Sequence, residues 1–296
     1  MQSTVEVVTG VCSTVSEALA GLATTIAQLQ RITDMRGTML ACAGTHPVSD
    51  WRDAKMAPIQ RYAELVEQMQ WLARRIQTFG VHVYVGLRDG SKAIPIVNAL
   101  AAYLPHFLAL TASSPFWGGH DTGLASSRAV IFGELPTAGP PHLLADWSEF
   151  EEYMDTLLRA GTIRSIKEVW WDVRPHPDFG TVEIRMFDGA PTLHEVGMVA
   201  ALSQSLVHLT NAEGATAPLR DELYELFRML QPVAERLGCA SELQVVNEVL
   251  ERGASYERQR AVMAARGRLT NVVDALVTEF AEDRFVGPEE SSHVAQ

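Results

Sequence analysis

The stretch Trp170-Trp171-Asp172-Val173-Arg174-Pro175-His176-Pro177-Asp178-Phe179-Gly180-Thr181-Val182-Glu183-Ile184-Arg185 decides how this chain folds. Successive strand side chains face opposite ways. Asp172 and Arg174 therefore fall on one face, and Trp171 and Val173 on the other. After Pro175, Pro177 and Gly180 the alternation resumes, with Glu183 and Arg185 on the polar face and Val182 and Ile184 on the apolar one. Two strands joined by a Pro/Gly-rich loop bring two acids and two arginines close together.

Working outward, the β-rich runs are residues 4–9, 39–44, 82–87, 128–132, 169–174 and 181–187. Thr4 and Glu6 share a face, as do His82 and Tyr84, while Val5, Val7, Val83 and Val85 point the other way. Apolar periodicity predicts helices over 13–32 (with Ser13 as N-cap), 53–78, 91–112, 147–160, 193–209, 219–237 (closing at Gly238), 241–250 and 255–282. This is the pattern of a single α+β domain over residues 1–285, a mainly antiparallel sheet with helices on one face. Residues 286–296 read as a disordered tail. The other sheet face is polar. One such face is often simply solvated, but four strands carrying acids and arginines without lysine point to a site.

The chain has 296 residues, 47% of them hydrophobic, enough for a sizeable core. Its formal charge of −12 repels polyphosphate backbones and anionic membranes, which argues against nucleic acid and membrane partners. Cys12, Cys42 and Cys239 lack zinc or redox spacing and fit a reducing compartment. The first residues show no basic or apolar leader pattern, so a cytoplasmic location is expected. The apolar window 94–112 contains Pro95, Asn98, Pro105 and His106, so it reads as a buried helix rather than a membrane span.

Several motifs fail. There is no Walker A sequence and no Gly-x-Gly-x-x-Gly after a strand. The Gly118–Gly123 run has no lysine, Met198 stands where a zincin needs its second histidine after His194-Glu195, and no nucleophile elbow is present. A nucleotide, if used, binds on the sheet. Carboxylates suit a hard cation there, and guanidinium forks suit phosphoryl oxygens.

The segment Asp172-Val173-Arg174-Pro175-His176-Pro177, followed by Gly180-Thr181-Val182-Glu183-Ile184-Arg185 and Asp188, resembles the signature of the glutamate–cysteine ligase type 2 family. Further blocks are similar to that family: residues 3–12, Ala43-Gly44-Thr45-His46-Pro47, residues 81–86 and Ser113 to Gly123. So are Ser127-Arg128, residues 136–140 and Gly253 to Arg260. The resemblance spans nearly the whole chain. It implies a glutamine synthetase-type catalytic domain whose sheet holds ATP and Mg²⁺ (or Mn²⁺). The implied chemistry phosphorylates a glutamate-like acid, and a cysteine-like amine then attacks the acyl phosphate. It further implies Glu6, His82 and Glu183 as metal ligands, with His82, Asp172 and Arg185 beside the nucleotide. Arg174 and Arg185 would steady the transferring phosphoryl group, Arg128 would hold the acid's carboxylate, and the chain would form a homodimer.

Some roles stay open. Trp170 and Trp117 read as core or pocket walls before stacking platforms, and His46 equally as a turn residue or a ligand. Asp172 either touches metal or only orients Arg174. Three departures from the family pattern stand out: no Gly-Val-Glu-Glu-Glu-Phe type opening strand, only a short link over 210–217, and Tyr84 in place of a second histidine. They leave a second expectation, a catalytically degenerate ligase scaffold that binds a nucleotide or small molecule.

Overall fold

A hairpin does form at the deciding stretch, but its first strand runs over Val173–His176 and not over 169–174, and its second over Thr181–Ile184; the rest of the fold is arranged around its two faces. The computed structural model describes residues 2–210 and 219–290. In chain order the elements begin with α1 (Val15–Asp34), α2 (Gln60–Met69), α3 (Trp71–Arg75), β1 (Val83–Gly86), α4 (Ala93–Ala101) and α5 (Leu104–Thr111). There follow β2 (Phe116–Trp117), β3 (His120–Asp121), α6 (Ser127–Gly133), α7 (Trp147–Arg159), β4 (Val173–His176) and β5 (Thr181–Ile184). The chain continues with α8 (Leu193–Thr210), α9 (Leu219–Leu237), α10 (Ala240–Arg252), α11 (Ser255–Arg266) and α12 (Leu269–Glu282).

The main sheet is antiparallel, in the order β1-β5-β4. A one-turn 3-10 helix, Pro177–Phe179, closes the hairpin, and Gly180 takes the left-handed conformation at φ 62° that a side chain would disfavour. Val85, Val173, Val182 and Ile184 join Phe107, Phe187, Met198 and Leu202 in the largest core cluster, with α4 and α8 laid across this face. Each fully buried side chain of this kind contributes about 1.5–3 kcal/mol. The architecture is thus α+β, as expected, though helix predominates and the sheet is smaller.

The differences have local causes. Residues 128–132 form α6, not a strand. A five-residue apolar run cannot distinguish the two periods, and the Ser126 hydroxyl caps a helix by accepting from the Ala129 amide. Residues 4–9 are extended but unpaired, with Val5 and Val8 exposed. The 39–44 run forms no strand either; just beyond it, Thr45 bridges Thr78 as an isolated pair. The 53–78 helix starts only after Pro58 and breaks at Gln70, whose φ is 49°. The 91–112 helix bends by 62° between α4 and α5, where Pro105 occupies the first turn of α5. Gly267 ends α11 in the left-handed conformation and splits the 255–282 helix. Thr14, one residue beyond Ser13, caps α1.

No single helix among the described residues is long and apolar enough to cross a membrane. The bent α4–α5 pair passes on length and composition, but Ile94, Ile96, Val97, Leu100, Phe107 and Leu110 are buried in the core. Of the tail expected after Phe285, Val286 is buried beside Val262, Val272 and Leu276. Residues 291–296, and most of the 210–217 link, lie outside the described residues.

Candidate active site

The register of the sheet sets Tyr84 opposite Glu183 and Glu183 opposite Arg174, so the three form one row across β1, β5 and β4. Directly opposed side chains share a face and touch. Glu183 is fully buried within that row. Its Oε2 accepts from Arg174 Nε at 2.7 Å. Its Oε1 accepts from the Tyr84 hydroxyl at 2.8 Å and from Arg185 Nη1 at 2.5 Å. His82, just before β1, brings its Nδ1 to 3.6 Å from the same oxygen. Arg174 is anchored further through Nη1, which donates to the Val169 carbonyl at 2.5 Å.

Charge balance follows from this packing. Burial works to raise the Glu183 pKa, but the Arg185 and Arg174 charges, with hydrogen bonds from Arg174 and Tyr84, hold it at about 2. Burial and the neighbouring Arg185 push His82 down to about 3, against the pull of Glu183, so its imidazole is neutral at pH 7. Burial and the hydrogen bond to Glu183 push Tyr84 up to about 12, which keeps it a donor.

Both His82 and Glu183 have folded-state pKa values below their ordinary ones, 6.5 and 4.5. Each therefore contributes stability that is complete above the ordinary value and lost as pH falls toward the folded one. Urea midpoints are expected to drop from pH 6.5 downward, with His82 alone costing up to about 1.4 kcal/mol per pH unit. His82→Gln should flatten the drop between pH 6.5 and 4.5. An unchanged slope in that variant would refute the assignment.

Beside this row lies a cavity of about 300 Å³ lined by Lys167, Trp170, Arg174, His176, Phe179 and Arg185, with Asp178 at Lys167. Trp170 is thus a pocket wall. Phe179 is 66% exposed and stacks on His176 at 4.3 Å, and Tyr84 meets both edge-on. Arg185 Nε and His176 Nδ1 are buried and have no hydrogen-bond partner among the described residues. The unmet Arg185 Nε donor, beside Arg174, suits an oxyanion.

The structure brings together His82, Arg174, Glu183 and Arg185. The half-buried Asp172 lies near Arg128 and Arg185 electrostatically, while burial raises its pKa. Glu183 and backbone carbonyls, not Asp172, orient Arg174. Glu6 stands exposed on the unpaired N-terminal segment, outside this network.

Arg128 is buried behind the site, where Nη2 donates to the Arg185 carbonyl at 2.9 Å and Nη1 to that of Met186 at 3.2 Å. It holds the backbone that carries Arg185 and is not open to a ligand carboxylate. A Cβ on Gly80 would meet the Arg128 guanidinium at 2.5 Å, which explains the glycine there. Asp188 lies 3.8 Å from Arg128 and accepts from the Ser113 amide and the Ser114 and Ser126 hydroxyls, locking two loops to the strand end. His46 is a turn histidine, since its Nδ1 accepts from the Val48 and Ser49 amides.

The sequence reading gave no role to Lys167 or to the Ser113–Asp188 network. Lys167 sits on a 3-10 turn, where no alternation marks a face. The serine network could have been noticed from the paired serines at 113–114 and 126–127.

Fold and site together define an α+β protein with a buried arginine–carboxylate network on one face of an antiparallel sheet. A model of the glutamate–cysteine ligase family 2 matches residues 1–222. The chain is 63% identical to a Thermobifida fusca protein provisionally named glutamate–cysteine ligase 2, covering 95% of this chain and 79% of the relative. It is 51% identical to a provisional glutamate–cysteine ligase 2-1 of Frankia alni (96% and 84% covered) and 42% identical to a Leifsonia xyli relative (94% and 84%). The chain belongs to the glutamate–cysteine ligase family 2, and so to the ligases. The Thermobifida match runs over 316 positions, more than the 296 residues here, so that relative carries segments with no counterpart in this chain.

Membership implies use of ATP and a divalent metal in general. The residues fit these unequally. Arg174, Arg185 and Lys167 suit phosphate oxygens. A hard cation needs carboxylate oxygens with free lone pairs, and both Glu183 oxygens are engaged. Among the described residues no three His, Cys, Asp or Glu side chains group as a metal site, so Glu6, His82 and Glu183 are not assembled into one.

Proposed function

We propose that this protein is an ATP-dependent carboxylate–amine ligase, built on a glutamine synthetase-type catalytic sheet, that activates a glutamate-like acid and joins it to a cysteine-like amine. The observation that carries this reading is the Arg174–Glu183–Arg185 network, with the unmet Arg185 Nε beside a cavity. The acid's carboxylate oxygen attacks the γ-phosphorus of ATP, ADP leaves, and an acyl phosphate forms. The amine then attacks the acyl carbon and expels phosphate. Negative charge on the transferring group is met by guanidinium donors fixed in advance by Glu183, so positioning and electrostatics supply the catalysis. The neutral His82 adds no positive charge, and no covalent enzyme nucleophile is needed.

The test is phosphate release from Mg·ATP with glutamate and a panel of amines that includes cysteine. Amine-dependent release is the expected result. Silence with every acid–amine pair while ATP still binds would favour the second reading, a catalytically degenerate scaffold acting by binding. One observation supports that reading: among the described residues the carboxylates are not grouped for a metal.

A further inference from the structure

The cavity carries three cations of two kinds. The Arg174 and Arg185 side chains are about nine-tenths buried and fixed to Glu183 at 2.7 and 2.5 Å. Among the described residues the Lys167 ammonium pairs only with Asp178, at 3.4 Å, and both side chains are more than half exposed, at 56% and 57%. We infer that Lys167 is the movable third arm of the oxyanion clamp: it leaves Asp178 and binds a phosphoryl oxygen when a phosphate-bearing ligand enters. This rests on the functional reading above and adds a binding residue to it.

The geometry supports the exchange. Lys167 lies on the 3-10 turn Ile166–Glu168, and Asp178 on the turn joining β4 to β5, so their ion pair links two turns beside the cavity that both residues line. The turn under Lys167 is pinned to the site, because Arg174 Nη1 points at the carbonyls of Ile166, Lys167 and Val169. The lysine stem therefore starts from a fixed base while its ammonium is free to swing. An exposed pair of this kind is worth about 0.2–1 kcal/mol, little against a phosphate shared with two arginines. Arg185 Nε, a buried donor without a hydrogen-bond partner among the described residues, adds to the positive character of the same wall. The three lining cations outnumber Asp178 and the engaged Glu183, so the cavity keeps a positive excess that an anion neutralises.

The roles of Lys167 and Asp178 differ in sign, which makes the inference testable. Binding of ADP and of inorganic phosphate would be measured by calorimetry on the full chain, with melting curves as a check on folding. Lys167→Met is expected to weaken both ligands about tenfold or more, the effect of losing one charge-assisted bond. Asp178→Asn, which removes the competitor for the ammonium, is expected to tighten them up to about fivefold. Lys167→Arg should retain most of the affinity. A pair that merely tied the two turns together would give weaker binding, or none changed, in both Lys167→Met and Asp178→Asn, and either result overturns the inference. If Lys167→Met binds like wild type while Arg185→Met does not, the oxyanion pocket stands and the role of Lys167 falls. If wild type binds neither ligand, the pocket reading itself falls and takes the inference with it.

Discussion

Arg258→Met is expected to cost about 3–5 kcal/mol of folding stability, the penalty for leaving buried carboxylates without their counter-charge. Arg258 stands on α11 and is almost fully buried. Its Nη2 donates to Glu195 on α8 at 2.7 Å, its Nε to Glu279 on α12 at 2.8 Å, and its Nη1 to the Gly253 carbonyl at 2.8 Å. The Phe285 ring lies 4.0 Å from the guanidinium carbon. One side chain thus ties three helices and the chain beyond α12 together. The balance is already strained toward negative charge, with two carboxylates on one arginine. Burial raises the Glu279 pKa despite Arg258, and the charge of Glu195 adds to the rise. Methionine fills much of the volume but leaves Glu195 and Glu279 facing each other without a cation. Native domains hold only about 5–15 kcal/mol in all, so a large fall in melting temperature should follow. The deficit should shrink between pH 7 and pH 5, because Glu279, whose pKa burial raises, can take up a proton in the folded state. A loss below about 1 kcal/mol, or one independent of pH, would show that the triad is not what holds these helices.

How much of this could be read from the chain depends on whether the deciding information was local. The hairpin was legible, because period-two alternation around Pro175, Pro177 and Gly180 sorts Arg174, Glu183 and Arg185 onto one face without knowledge of anything else. Strand pairing is not local. Residues 4–9 alternate as well as 181–187 do, yet no described strand lies beside them. Burial of charge is equally invisible. The family resemblance implies Arg128 as a ligand-binding arginine, and only the fold shows it spent on the carbonyls of Arg185 and Met186. The same limit hid Arg258, which lies in a block similar to the family but gave no sign of its two carboxylate partners. Tyr84 was visible as a departure from the family pattern, but its role as a donor to Glu183 needed the register of β1 against β5.

Arg185→Met is expected to lower amine-dependent phosphate release by about 10²–10³-fold, the usual effect of removing one preorganised donor to developing negative charge. The protein should remain folded, because the network tolerates this loss on one side. Glu183 keeps its 2.7 Å bond from Arg174 Nε and its 2.8 Å bond from Tyr84. The methionine stem can still cover Phe132, whose ring lies 6.0 Å from the native guanidinium. The backbone stays held, since Arg128 bonds the carbonyl of residue 185 and not its side chain. Glu183→Gln is the contrasting case. It would abolish turnover too, but a neutral amide would leave two buried guanidiniums close together without a counter-charge, so the melting temperature should fall with the rate. Measured side by side, the pair separates the two functions of the row. Loss of rate alone in Arg185→Met, against loss of rate and stability in Glu183→Gln, assigns Arg185 to the ligand and Glu183 to holding the arginines in place. Wild-type turnover in Arg185→Met would remove this face of the sheet from the chemistry.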